Sequence, residues 1–237
     1  MARIENSSEE QIGSGFEELL TGLFTQSELM ILDFNQIPPG TPDYKNIRAF
    51  FERCQTSGVN PRLPENRQQF NNNFLEKSGK RYLISRYAED RHEMLKGSQI
   101  AEEGRTLHLG IDIFSKDLEP VYAPYDGTIV SVGREDGPHS FGHYIILKPD
   151  KSITDHYLFL GHLSKNLPNL GTTSGGERIA TLGNWIDDEN GGWSRHVHVQ
   201  LLSELPKPDE LPIGYSTKDN LSQNMLKYPD PSLLVFR

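Results

Sequence analysis

Between Arg105 and Leu205 the chain is a succession of short apolar or alternating segments, each cut off by Gly, Pro, Asp or Lys. LHLGIDIF, PVYAPYDGTIVSVG, GHYIILKP, HYLFLGHLS and, after the turn-rich NGGWS, HVHVQLL follow one another in this way. That is the pattern of strands joined by turns, and it predicts an antiparallel β domain over about residues 105–205. The content of 21 glycines and 15 prolines in 237 residues leans the same way, because these residues make turns.

The flanks read differently. From Glu9 to about Asp33, Phe16, Leu19, Leu20, Leu23 and Phe24 fall on one helical face, and Ile47, Phe50 and Phe51 do so between Lys45 and Arg53. IPPGTPDY breaks any helix between them, since proline lacks the amide donor and restrains its neighbour. GVNPRLPENRQQFNNNF is polar and proline-containing and reads as a loop followed by irregular structure, and Phe74 to Leu95 favours helix only weakly. The expected organisation is therefore mainly β, α+β overall. A partly helical N-terminal extension (1–100) precedes a β domain (101–205), and a loop-like tail (206–237), with an apolar end at LLVF, packs on that domain.

Composition removes several classes of function. Lys and Arg number 24 against 33 Asp and Glu, a net charge of -9. Nucleic-acid binders need clustered cations to neutralise phosphates, and anionic membranes attract polybasic segments, so neither partner is expected. One cysteine, Cys54, excludes an internal disulfide framework and every Cys-cluster zinc site. There is no basic segment followed by an apolar stretch at the N-terminus, and no apolar run of the roughly 18 residues a membrane helix needs. A soluble cytoplasmic chain is expected as given, or a periplasmic or secreted one if a leader has been removed.

The residues able to do chemistry are histidines. His196 and His198 are two apart on an expected strand and so share a face. Both could ligate one metal, or one could ligate while the other works on bound water. His108 and Asp112 bracket a glycine in His-Leu-Gly-Ile-Asp, at a spacing that puts both side chains on one side of a strand end. Together the two motifs offer an N/N/O donor set suited to one Zn²⁺ per chain, with a fourth position left to water. Each motif alone is more often a pair of structural side chains. His162, at the end of the apolar FLGHLS segment, adds an imidazole that a strand end could aim into the same cleft. His92, His139, His143 and His156 sit among polar or charged neighbours and read as structural or surface residues.

In this order, His108-x-x-x-Asp112, APYDGTIVSVG, the GHYIIL strand, Leu-x-His162-Leu and His196-x-His198 resemble the M23 peptidases, the lysostaphin-type zinc metalloendopeptidases. The likeness spans about residues 105–202. It implies an antiparallel β-sheet catalytic domain with a groove across it, and His108, Asp112 and His198 as zinc ligands. It further implies His196 and His162 as the histidines flanking the metal-bound water, and a peptide substrate, usually the cross-links or stem peptides of bacterial peptidoglycan. No His-Glu-x-x-His helix is present, so the base has to be a histidine. The loop before the His-x-His strand departs from the secreted members, reading Glu-Asn-Gly-Gly-Trp-Ser-Arg-His196. Asn190, Trp193 and Arg195 are therefore candidates for the substrate groove. Two other readings remain. His-Leu-Gly-Ile-Asp and the DGT turn also resemble the glucose-type phosphocarrier domain of the bacterial sugar phosphotransferase system. There the DGT turn precedes the histidine motif, and no His-x-His strand is required. A catalytically silent zinc-binding interaction module is the third.

Overall fold

Strand β11 (His196–Leu202) is where the site begins. Strand alternation puts Val197, Val199 and Leu201 on one face, in the main apolar cluster, and His196, His198 and Gln200 on the other. All seven of its residues are buried, so both faces are covered and the strand lies inside its sheet. The computed structural model describes residues 29–32, 54, 56–208 and 210–232. Within them β11 pairs antiparallel with β4 (Ile111–Ser115) on one side and β8 (Tyr157–Leu163) on the other. Beyond β8 lie β7 (Gly142–Pro149), β6 (Gly127–Glu135) and β9 (Gly171–Thr173); beyond β4 lie β2 (Tyr82–Ser85) and β1 (Leu29–Leu32). The eight-stranded order is β1-β2-β4-β11-β8-β7-β6-β9, antiparallel except for the β1–β2 pair. The expected mainly antiparallel β fold is the fold observed.

One face of the sheet is apolar. Ile111, Ile113, Ile145, Leu147, Leu158, Leu160, Val197, Val199 and Leu201 pack there. Ala123, Ile179, Ala180 and Leu182 join the same cluster from around a two-stranded sheet of β5 (Pro120–Tyr122) and β10 (Arg178–Thr181). Each fully buried aliphatic side chain contributes about 1.5–3 kcal/mol, so this layer supplies most of the apolar stabilisation. The other face carries Phe141, Ile146, Phe159 and Leu202 beside the polar residues of β4 and β11. A second short pair, β3 (Leu107–His108) with β12 (Tyr215–Ser216), lies over that face. The tail continues into a helix, α4 (Leu221–Lys227), and Ser203 N donates to Lys227 O at 2.8 Å.

The N-terminal region departs from the sequence reading in three places. Leu29–Leu32 is a strand paired with Tyr82–Ser85, not the end of a helix. The polar stretch read as a loop forms helix α1 (Pro64–Ser78), with proline in its first turn and Gly79 closing it at φ 67°. Its apolar seam is narrow: Phe70, Phe74 and Leu75 pack with Leu83 and Phe114, so tertiary burial outweighs the weak propensity of Asn71, Asn72 and Asn73. The segment 74–95, expected weakly helical, is the end of α1, then β2, then a single turn α2 (His92–Leu95). Another single turn, α3 (Gln99–Glu102), follows, with Ser98 Oγ accepting from Ala101 N. Both patterns at 9–28 and 45–53 lie outside the described residues, as does LLVF at 233–236. Among the described residues no helix is long and apolar enough to cross a membrane.

Candidate metal centre and active site

His108, Asp112 and His198 arrive from three strands. Asp112 stands directly opposite His198 in the β4–β11 register, and His108 comes from β3, held by its pairing with Tyr215. Their ligand atoms all lie within 4.8 Å of one another. His198 Nδ1 is 3.0 Å from Asp112 Oδ1 and 3.0 Å from His108 Nε2, and His108 Nε2 is 3.4 Å from Asp112 Oδ1. All three side chains are buried.

The hydrogen bonds around them decide which atoms carry protons. Gln200 Nε2 donates to Ile213 O at 3.1 Å, so its Oε1 is free to accept from His198 Nε2 at 2.9 Å. With its proton held on Nε2 by Gln200, the other ring nitrogen of His198, Nδ1, points at the carboxylate. Burial alone would raise the Asp112 carboxyl, but the Arg91 guanidinium and the imidazoles around it hold it well below the ordinary carboxylate range. Arg91 Nη1 donates to Asp112 Oδ2 at 2.6 Å, and its Nε donates to Glu89 Oε1 at 2.7 Å. In the tautomer with the proton on Nε2, Nδ1 and Asp112 Oδ1 are both lone-pair atoms 3.0 Å apart, the electrostatic condition a cation relieves. With two imidazole nitrogens and one carboxylate oxygen, the donor set fits a divalent transition metal. Gly110 makes room for the His198 ring: a Cβ there would stand 2.5 Å from His198 Cε1.

His196 and His162 lie beside this trio, their ring centroids 4.3 Å apart. His196 Nδ1 donates to Ser194 O at 2.7 Å and His162 Nδ1 to Asn190 O at 2.9 Å. Carbonyls only accept, so each ring keeps its proton on Nδ1 and presents Nε2 as a lone pair; that of His196 lies 3.7 Å from Asp112 Oδ1. Burial pushes both imidazoles down, His196 to about 4 and His162 well below the usual histidine value. At neutral pH both are free bases, and His108, pushed down to about 3 by burial and by Arg91, is uncharged too.

His162 reaches this face by a bulge. The β7–β8 register shifts between Ile145↔Leu160 and His143↔Leu163, so β8 carries an extra residue there. Plain alternation would send His162 into the apolar layer with Leu158 and Leu160. The bulge, with His162 at φ 62°, turns it to the metal side while Leu163 returns to the core.

These residues line a cleft of about 750 Å³ walled also by Trp193, His139, Phe141, Tyr215, Arg67 and Arg91. The expected groove residues divide. Trp193 is a wall of the cleft, buried, with its indole donating to Ser140 O. Asn190 is not in the groove: its amide donates to Gly183 O and Trp193 O and accepts from Trp193 N, stapling the loop whose carbonyl orients His162. Arg195 is not there either. Alternation sends it away from His196, its Nη1 donates to Lys116 O and its guanidinium lies 5.0 Å from the Trp185 ring. His139, expected to be an ordinary surface residue, borders the cleft against Trp193 with ring centroids 5.1 Å apart. Sequence reasoning missed Arg91, Glu89 and Gln200. Of these only Gln200 has a local signal, its place two residues beyond His198 on the same strand face. A second, apolar cavity of about 300 Å³ lies on the opposite face, against Val197 and Val199, away from these groups.

A sequence model of peptidase family M23 matches residues 106–208. An "uncharacterized metalloprotease" of Haemophilus influenzae (strain ATCC 51907 / DSM 11121 / KW20 / Rd) is 38% identical over 78 residues, 32% of this chain but 15% of that protein. The chain thus spans a small part of its relative. Among solved structures, the antimicrobial peptidase lysostaphin from Staphylococcus simulans aligns at 23% identity with a TM-score of 0.38, covering 55% of this chain and 43% of that one. Its catalytic domain aligns at 21% with a TM-score of 0.36, covering 50% of this chain and 80% of that one. The family model covers every residue of the trio and both flanking histidines, so the likeness to peptidase family M23 is centred on the site itself.

Proposed function

We propose that the chain is a zinc metalloendopeptidase acting on peptide linkages of the kind found in peptidoglycan cross-links or stem peptides. The observation that carries the reading is the convergence of His198 Nδ1, Asp112 Oδ1 and His108 Nε2, three buried ligand atoms within 4.8 Å of one another. His108, Asp112 and His198 would hold one Zn²⁺. The ion supplies a Lewis acid that polarises the scissile carbonyl and lowers the pKa of a water to about 7. The chain's own residues do the rest. His196, neutral and with Nε2 free, accepts the proton of the attacking water. Its Nδ1–H bond to Ser194 O steadies the imidazolium that results. His196 then donates that proton to the leaving amine, while His162, held by Asn190 O, faces the same space. Arg91 keeps Asp112 ionised and fixes its free oxygen.

The test joins metal analysis to mass spectrometry of purified peptidoglycan digested by the protein, with Asp112→Ala as control. One zinc per chain, lost in the control together with new peptide products, is expected. A second variant separates the roles. His196→Ala should keep its zinc and lose turnover by about 10²–10⁴-fold; loss of the metal instead would make His196 a ligand. Metal without hydrolysis of any peptide would leave a silent binding module, and phosphate transfer to a histidine without metal would leave the carrier.

A further inference from the structure

Helix α1 does more than cover the sheet. Gln68 is buried and ties the helix to the start of the site strand: its Nε2 donates to Ser115 O at 2.8 Å, and its Oε1 accepts from Arg195 N at 2.7 Å. The neighbouring residue, Arg67, is thereby placed in the wall of the cleft, its Cζ 5.8 Å from the Trp193 ring centroid. The same indole edges the working histidines, 6.4 Å from the His196 ring and 6.1 Å from the His162 ring.

The charges around the cleft are committed, with one exception. Arg91 is taken by Glu89 and Asp112, and Arg105 by Glu103 at 2.6 Å. Glu135 Oε2 accepts from Phe141 N at 2.6 Å, and Asp136 is paired with Arg134 at 2.7 Å. Among the described residues, no carboxylate lies within ion-pairing distance of the Arg67 guanidinium. A part-buried guanidinium forgoes hydration, and without an anion it is a costly thing to keep. Burial pulls its pKa down to about 10, which still leaves it charged at neutral pH. Such a group, lying over an indole and lining the cleft, presents its donor fork to whatever enters.

We infer that Arg67 is a substrate-binding residue that takes a free carboxylate of the peptide, carried either by an acidic side chain or by the chain terminus. The inference rests on the peptidase reading for the peptide, and on Arg67 alone for the anion. It makes the N-terminal extension a specificity wall of the M23 site.

The test uses the full-length, zinc-loaded protein in a His196→Ala background, so that the probes are not consumed. The probes are Ala-Ala-Glu-Ala-Ala and Ala-Ala-Gln-Ala-Ala, each as free acid and as C-terminal amide, with affinities read by titration calorimetry. A charged member should bind roughly tenfold tighter than its neutral counterpart, as one charge-assisted hydrogen bond implies. The pair that shows the preference tells a side-chain carboxylate from a terminal one. Arg67→Gln should erase it and Arg67→Lys keep part of it. A purely structural role would instead lower thermal stability and weaken all four peptides alike. Equal binding of charged and neutral peptides, a preference that survives Arg67→Gln, or no binding of any peptide overturns the inference. Hydrolysis and zinc content of the otherwise unmodified protein, measured alongside, separate the two claims. Turnover without a carboxylate preference discards Arg67 and leaves the enzyme. An Arg67-dependent preference in a protein that hydrolyses nothing does the reverse.

Discussion

Gly110 stands between two of the proposed ligands at a point where any side chain would strike the third. A Cβ there would lie 2.5 Å from His198 Cε1 and 2.7 Å from Val199 O. Gly110→Ala should therefore cost about 1–3 kcal/mol in stability by overpacking and weaken zinc binding, checked by denaturant melts and competitive chelator titration. Gln200 acts at one remove, holding His198 in the tautomer that bares Nδ1. Gln200→Leu should reduce zinc affinity by about 10–100-fold with little change in fold. The buried histidines also set a pH dependence for the metal-free protein. His108, His162 and His196 all have depressed folded values, to about 3 and about 4 for the first and last. Below the unfolded histidine value of about 6.5 the unfolded chain binds more protons than the folded one. The stability these groups contribute is full above that pH and is lost as pH falls towards 4, so the melting temperature should drop steeply across that window. A flat profile would mean the rings are not buried as neutral bases.

At the scale of elements, two local irregularities decide the site. The β8 bulge brings His162 out of the apolar layer, and it does so in a conformation that a non-glycine residue adopts at a cost. Helix α1 is anchored by a single buried amide that serves a carbonyl of β4 and an amide at the start of β11. Gln68→Leu leaves both backbone groups unpaired, which costs about 1–3 kcal/mol each. Hydrogen exchange at the Arg195 amide should quicken selectively, while exchange within β7 and β8 stays slow. The period-2 pattern of β4, β8 and β11 was legible from their residues. The helix was not, because its polar asparagines hide a seam of only three apolar residues.

On the scale of the whole molecule, the region before residue 100 is part of the sheet that builds the site. β2 pairs with β4 along its far edge, Leu83 packs on Phe114, and Arg91 reaches from the turn after β2 to hold Asp112. A chain beginning at Gly104 would expose that strand edge and strand the Asp112 charge in the interior. It should be poorly soluble and bind zinc weakly beside the full chain; soluble yield and metal content after purification decide it. The N-terminal extension thus shares its sheet with the β domain. What the sequence by itself determined is the set of strands and the donors they carry. Alternation is local, so His196, His198 and Gln200 must share a face wherever β11 goes. Tertiary structure alone decided that Arg91 and Glu89 guard the carboxylate, that Asn190 and Arg195 support the loop rather than the groove, and that α1 delivers Arg67 to the cleft. Those contacts join residues far apart in the chain, and no repeat along the sequence records a distance that only the packed sheet creates.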